Sequence, residues 1–137
     1  MQESGETYLE TILILKQRNG KVRSIDIAHE LDFSKPSVSR AVGILKEEGF
    51  IAVDQNGYIE LTEKGSTRAG GIYERHKCIT QFLMNTLGVD YDTAEDDACR
   101  IEHIISEASF EEIKKYVQKN CGSCELDSKK IKLGVDN

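Results

Sequence analysis

The chain has 137 residues, of which 31% are charged and 39% hydrophobic, with one proline and no tryptophan. That is the balance of one ordinary globular domain or two small ones, rather than of a disordered or membrane protein. The net charge of -6 conceals a division: residues 16–46 carry seven bases against three acids, a balance of +4, whereas residues 90–112 carry nine acids against one base, a balance of -8. A basic segment suggests contact with a polyanion, and an acidic one suggests cation binding.

The N-terminal MQESGETYLE is too acidic for a signal peptide, and ILIL at 12–15 is the longest undiluted apolar run. A bilayer crossing needs roughly 20 apolar residues, so no membrane association and a cytoplasmic location are expected. Residues 6–18 predict a helix, with Leu9, Ile12, Leu13 and Lys16 in a three-and-four rhythm and Asn19-Gly20 as the stop. Ser24 is the expected cap of a second helix that turns Ile27, Ala28 and Leu31 inward. Ser34 is the expected cap of a third, in which Val38, Val42 and Leu45 face the core and Gly49 ends the run. Pro36 suits the first turn of that helix, where its missing N–H costs little. Two short helices, the second with Lys35, Ser37, Ser39 and Arg40 on its polar side, predict a helix-turn-helix. FIAVDQNGYIELT alternates around Asn56-Gly57, a strong hairpin signal, so the whole predicts a winged helix. Side chains at the start of a recognition helix reach base edges, and Lys or Arg contact phosphates, which makes Lys35, Pro36, Ser37, Ser39 and Arg40 the candidate DNA-binding residues.

A long helix is expected from about Glu63 to Leu87, with Ala69, Ile72, His76, Ile79 and Leu83 on one stripe. Gly70-Gly71 interrupts it, as a place for close backbone packing, a bend or simple tolerance. On spacing alone His76 reads as a hydrogen-bonded core histidine. A further helix is expected over 92–107, with Ala94, Ala98, Ile101, Ile105 and Ala108 buried and Glu95, Cys99, Glu102 and Ser106 on a parallel stripe. Cys99, Glu102 and His103 stand at i, i+3 and i+4, so sulfur, oxygen and nitrogen donors share one face; a solvated acidic face with a half-buried cysteine is the alternative. The four cysteines, at 78, 99, 121 and 124, are read as reduced. NCGSC at 120–124 offers two thiolates, half of a zinc site that Cys78 or a partner subunit would complete; a redox pair and an exposed tail without fixed role are the alternatives.

ETYLE at 6–10, SKPSVSRAVGILKEEGFI from Ser34, ERH at 74–76 and DDACRIEHIIS at 96–106 together resemble the diphtheria-toxin-repressor family of iron- and manganese-dependent regulators, over the chain up to about residue 119. The resemblance implies a mainly α fold: a winged-helix DNA-binding domain over 1–70, and a helical metal-binding and dimerisation domain over 71–137 in the short form without an SH3-like domain. It implies Glu10, His76, Cys99, Glu102 and His103 as metal ligands, which turns His76 from core residue to ligand. It further implies Fe²⁺ or Mn²⁺ as cofactor, a homodimer, and an inverted-repeat operator in double-stranded DNA. ACRIEH resembles the iron branch, whereas the chain length resembles the manganese branch. Two positions depart from the pattern. Thr7 stands where the family places aspartate or methionine, leaving water, Glu6 or a rearranged site to complete the shell. Thr80 stands where a second-site carboxylate is common, and Glu95, one turn before Cys99, is the carboxylate that could substitute.

The reading is thus a metal-activated transcriptional repressor and not an enzyme. A winged-helix regulator answering to an organic effector or to thiol redox state would leave the EH pair idle. A small metal-dependent hydrolase would use Glu102 or His103 as base at an open metal position, but the winged helix would then have no purpose.

Overall fold

A computed structural model describes residues 3–120, which form α1 (Glu3–Asn19), α2 (Ser24–Leu31), α3 (Lys35–Glu47), β1 (Ile51–Val53), β2 (Ile59–Leu61), α4 (Glu63–Leu87), α5 (Tyr91–Ile104) and α6 (Glu107–Asn120). Cys121 and Cys124 lie outside the described residues. Two compact units divide between Gly71 and Ile72, inside α4. No described helix is long and apolar enough to cross a membrane.

In the first unit α1 is buried around most of its circumference, from Tyr8 to Ile12 and again at Ile14 and Leu15, rather than along the single stripe that its periodicity suggests. The reason is its place: α2, α3 and β2 all pack against it. Each fully buried leucine or isoleucine there stabilises by about 1.5–3 kcal/mol relative to exposure. The buried faces of α2 (Ile27, Ala28, Leu31) and α3 (Val38, Val42, Leu45) are those that the spacing predicts, and the two helices pack together. The start of α2 differs from expectation. Arg23, not Ser24, is the N-cap, and the Asp26 carboxylate accepts the Arg23 backbone N–H at 2.9 Å, which is one half of a capping box. At α3 the expected cap is present: Ser34 Oγ accepts the Ser37 N–H at 3.3 Å, with Pro36 in the first turn.

The wing is antiparallel, pairing Ile51 with Leu61, Ala52 with Glu60 and Val53 with Ile59. Its turn is a three-residue loop, not a two-residue one. The Gly57 N–H donates to the Asp54 carbonyl at 3.0 Å, Gly57 takes a φ of 85°, and the Asp54 N–H closes onto the Tyr58 carbonyl at 3.0 Å. A type I turn followed by a left-handed glycine gives this geometry. Gly65, in the first turn of α4, is dictated by proximity, because a Cβ there would stand 1.9 Å from the Phe50 carbonyl oxygen.

The second unit comprises the rest of α4 with α5 and α6. Among the described residues Gly70 and Gly71 serve no close packing: a Cβ at either would meet nothing within 4 Å, and α4 runs on as one helix. The helix expected over 92–107 stops at Ile104. Ile105 turns extended (φ -68°, ψ 140°), and Ser106 Oγ accepts the Ser109 N–H at 3.1 Å, starting α6. Capping by Ser106 outweighs continuation of the apolar rhythm, so Ala94 and Ala98 are buried as expected while Ala108 is exposed. No helix is expected beyond residue 107, yet α6 forms there and buries Phe110 and Val117, seven residues apart on one face. Cys78, 1% exposed, is disulfide-bonded, which corrects the expectation that all four cysteines are reduced and removes its thiolate from any zinc site with the tail.

Candidate metal centre

His76 on α4 faces a stripe of α5 built by Glu95, Cys99 and Glu102, whose spacings of four and three residues put them on one helical face. One donor atom each from His76, Glu95 and Cys99 lie within 4.8 Å of one another. His76 Nδ1 is the hub: it is 2.7 Å from Glu102 Oε1 and 3.7 Å from Cys99 Sγ. His103 Nε2 lies 3.5 Å from Glu102 Oε2. The histidine, Glu95 and Glu102 are buried and Cys99 half-buried. Two carboxylates held in so dry a place are costly unless positive charge and hydrogen bonds compensate them. Imidazole, carboxylate and thiol together are the donor set of a divalent transition metal, so these residues fit one.

The structure brings Glu95 in more closely than the sequence suggests, and it adds two residues that the sequence reading did not single out. Tyr91, one turn before Glu95, hydrogen-bonds that carboxylate; burial first, and then the charge of Glu95, push its phenol well above the ordinary tyrosine range. Arg75, next to His76, donates from Nη1 to the carbonyls of Glu102 (3.2 Å) and Ile105 (3.0 Å) and from Nη2 to Glu107 (2.8 Å). It thereby satisfies the orphan carbonyls at the end of α5 and fixes the turn that carries Glu102 and His103. An Arg–His pair in sequence gives no sign of this, since the partners come from α5 and α6. Thr80, at the position where a second-site carboxylate was considered, donates its hydroxyl to the His76 carbonyl at 2.7 Å. In the first unit Glu10 is 2% exposed on α1, and the Thr7 carbonyl accepts the Thr11 hydroxyl at 2.7 Å.

The candidate DNA-contacting residues Lys35, Pro36, Ser37, Ser39 and Arg40 are all exposed on α3. Charge pairing in this unit is uneven. Lys16, Arg18 and Arg68 are paired with Glu60, Glu30 and Glu6, and Lys64 donates to the Glu48 carbonyl. Among the described residues Lys21, Arg23, Lys35, Arg40 and Lys46 have no carboxylate partner. These cations fall between residues 21 and 46, where a polyanion would compensate them.

Residues 1–61 match the iron dependent repressor N-terminal DNA binding domain, and residues 62–124 match the iron dependent repressor metal binding and dimerisation domain. The chain belongs to the iron-dependent repressor family. Within this family of metal-dependent transcriptional repressors it is 34% identical, over 87% of its own length and 96% of the relative's, to an uncharacterised HTH-type transcriptional regulator of Methanocaldococcus jannaschii. It is 32% identical to the iron-dependent repressor IdeR of Mycobacterium tuberculosis, over 77% of this chain and 46% of that one. The structure of the manganese regulator SloR superposes with a TM-score of 0.74 at 32% identity, covering 83% of this chain and 53% of SloR. The chain therefore spans about half the length of IdeR and SloR but nearly all of the Methanocaldococcus jannaschii regulator. A hypothetical protein of Sulfolobus solfataricus, 23% identical, shares the fold over its whole length with a TM-score of 0.66, covering 92% of this chain.

Proposed function

We propose that this chain is a transcriptional repressor that Fe²⁺ or Mn²⁺ activates and that binds an inverted-repeat operator as a homodimer. Residues 1–70 serve as its DNA-binding domain and 71–137 as its metal-binding and dimerisation domain. The observation that carries the reading is the cluster of buried His76 and Glu95 with half-buried Cys99, donor atoms within 4.8 Å of one another, in a chain whose other half is a winged helix with cations that no carboxylate among the described residues pairs. The proposed ligands are Glu10, His76, Cys99, Glu102 and His103, with Glu95 added on the strength of the geometry. A bound cation supplies the positive charge that buried carboxylates need. His76 holds it together with the ligands that α5 contributes, Cys99, Glu102 and His103, with Glu95 on the same helical face. Ser37, Ser39 and Arg40 read base edges, with Pro36 opening their helix and Lys35 on phosphate. In a homodimer the two recognition helices address half-sites about 34–36 Å apart per helical turn. Metal occupancy is coupled to DNA affinity, and by linkage DNA tightens metal binding by the same factor.

The mixed donor set bears on the metal. Thiolate from Cys99 favours iron, cobalt or zinc, whereas the carboxylates suit manganese. Replacing Cys99 by glutamate therefore shifts preference toward Mn²⁺. The test uses duplexes selected from a random pool by wild-type protein, with affinity measured anaerobically across a series of divalent metals. Affinity rises on adding Fe²⁺ or Mn²⁺, and Arg40→Ala relaxes sequence preference at a cost of roughly 1–3 kcal/mol. Metal binding with no change in DNA affinity would refute the activation.

A further inference from the structure

We propose a second DNA contact at the root of the wing, in which Lys21 and Arg23, stacked on Tyr58, grip backbone phosphates outside the bases that α3 reads; it rests on the DNA-binding reading above. Residues 21–23 are not a regular strand, yet they line the wing as one. The Ile59 N–H donates to the Val22 carbonyl at 2.8 Å, and Arg23 is extended at φ -123° and ψ 165°. Successive side chains of an extended segment point to opposite faces. Val22 is fully buried, while Lys21 and Arg23 are exposed on the other side.

There the two cations share one ring. Lys21 Nζ is 4.9 Å and the Arg23 guanidinium carbon 4.4 Å from the centroid of Tyr58. The aromatic face attracts each of them, and it holds together two like charges that would otherwise move apart. No carboxylate among the described residues pairs with either, although acids stand nearby in sequence and on the wing. Those acids are engaged elsewhere: Glu60 with Lys16, Glu30 with Arg18, Asp26 with the Arg23 backbone N–H, and Asp54 with the amides of Asn56 and Tyr58 in the wing turn. The wing thus presents two fixed positive heads without counter-charge, in the unit that also exposes Lys35 and Arg40. The planar fork of Arg23 suits a phosphate bidentately, and Lys21 adds a point charge. Duplex DNA is the partner because its phosphates come in series and can meet both heads at once. Contacts to phosphate carry no base information, so the clamp adds affinity and salt dependence and leaves sequence preference to α3.

The experiment compares wild-type chain, in the metal-loaded state, with Lys21→Gln/Arg23→Gln on two duplexes: the one selected by wild type, and a 30-base-pair mixture of random sequence. Each phosphate contact contributes about 0.9 to the slope of log affinity against log salt, so losing two contacts flattens the slope by about 1.8 per protomer in that comparison. The flattening is expected on both duplexes alike, with the ratio of their affinities unchanged. Tyr58→Leu keeps both charges but releases them from the ring, and it lowers affinity with a smaller change in slope. Circular dichroism and metal stoichiometry equal to wild type show that the variants are folded. An unchanged slope in the double variant overturns the clamp while wild-type binding still stands. Inorganic phosphate bound one per chain, and lost in the double variant without change in the DNA slope, overturns it in favour of a small-anion site. Wild type that binds neither duplex overturns the DNA-binding reading itself.

Discussion

Replacing Arg75 by methionine keeps the length of the stem and removes the fork that closes the end of α5. Its magnitude follows from the contacts. The Arg75 side chain is only 21% exposed, and its two bonds to the carbonyls of Glu102 and Ile105 have a charged donor. Such bonds contribute about 1.5–3 kcal/mol each at full value. The third contact adds little, because Glu107 is 73% exposed and exposed ion pairs contribute about 0–1 kcal/mol. Stacking of the guanidinium on Phe110, at 5.3 Å, adds about 0.5–1 kcal/mol. Water that reaches the released carbonyls recovers part of the loss, which leaves a net destabilisation of about 2–3 kcal/mol. Urea unfolding of the metal-depleted chain, followed by circular dichroism, measures it as a lower midpoint with an unchanged slope. Because the frayed residues include Glu102, which hydrogen-bonds His76, metal also dissociates faster from the variant. A loss of less than about 0.5 kcal/mol, within the ordinary range for surface substitutions, would show that Arg75 does not hold the turn.

Gly65→Ala drives a methyl into the Phe50 carbonyl and costs about 1–3 kcal/mol or more, whereas Gly71→Ala meets open space in a helix and stabilises by up to about 1 kcal/mol; thermal unfolding of the pair reads the opposite signs. Ser34→Ala removes the cap from the Ser37 N–H and destabilises by about 1 kcal/mol, with weaker DNA binding as the start of α3 frays in the same titration. Asp90 caps α5 through the Thr93 backbone N–H, which holds its carboxyl below the ordinary carboxylate range. Its stability contribution is therefore complete above the unfolded value of 3.8 and is lost as pH falls through the lower folded one. Asp90→Asn flattens that acid limb of the unfolding curve, and an unchanged limb would assign it to other carboxylates.

What the sequence by itself determined was whatever depends on near neighbours along the chain. Ser34 with Pro36, the three-and-four spacing of Val38, Val42 and Leu45, and the turn residues around Asn56-Gly57 each act within a few positions, so the winged helix could be read directly. The stripe of Glu95, Cys99 and Glu102 is likewise a property of one helix. Tertiary structure decided the rest. Glu95 and Cys99 become a cluster only where α4 presents His76 to α5, and Arg75 acquires its role only because α5 ends beside it. The burial of α1 on most sides reflects three neighbouring elements rather than its own periodicity. The end of α5 was a contest between an apolar rhythm and the hydroxyl of Ser106, which the cap won, and the Arg75 fork then satisfies the carbonyls of Glu102 and Ile105. Lys21 and Arg23 were visible as charges, but their pairing on one ring required β2 to bring Tyr58 alongside them. A side chain's role across elements depends on distances that spacing along one element cannot encode.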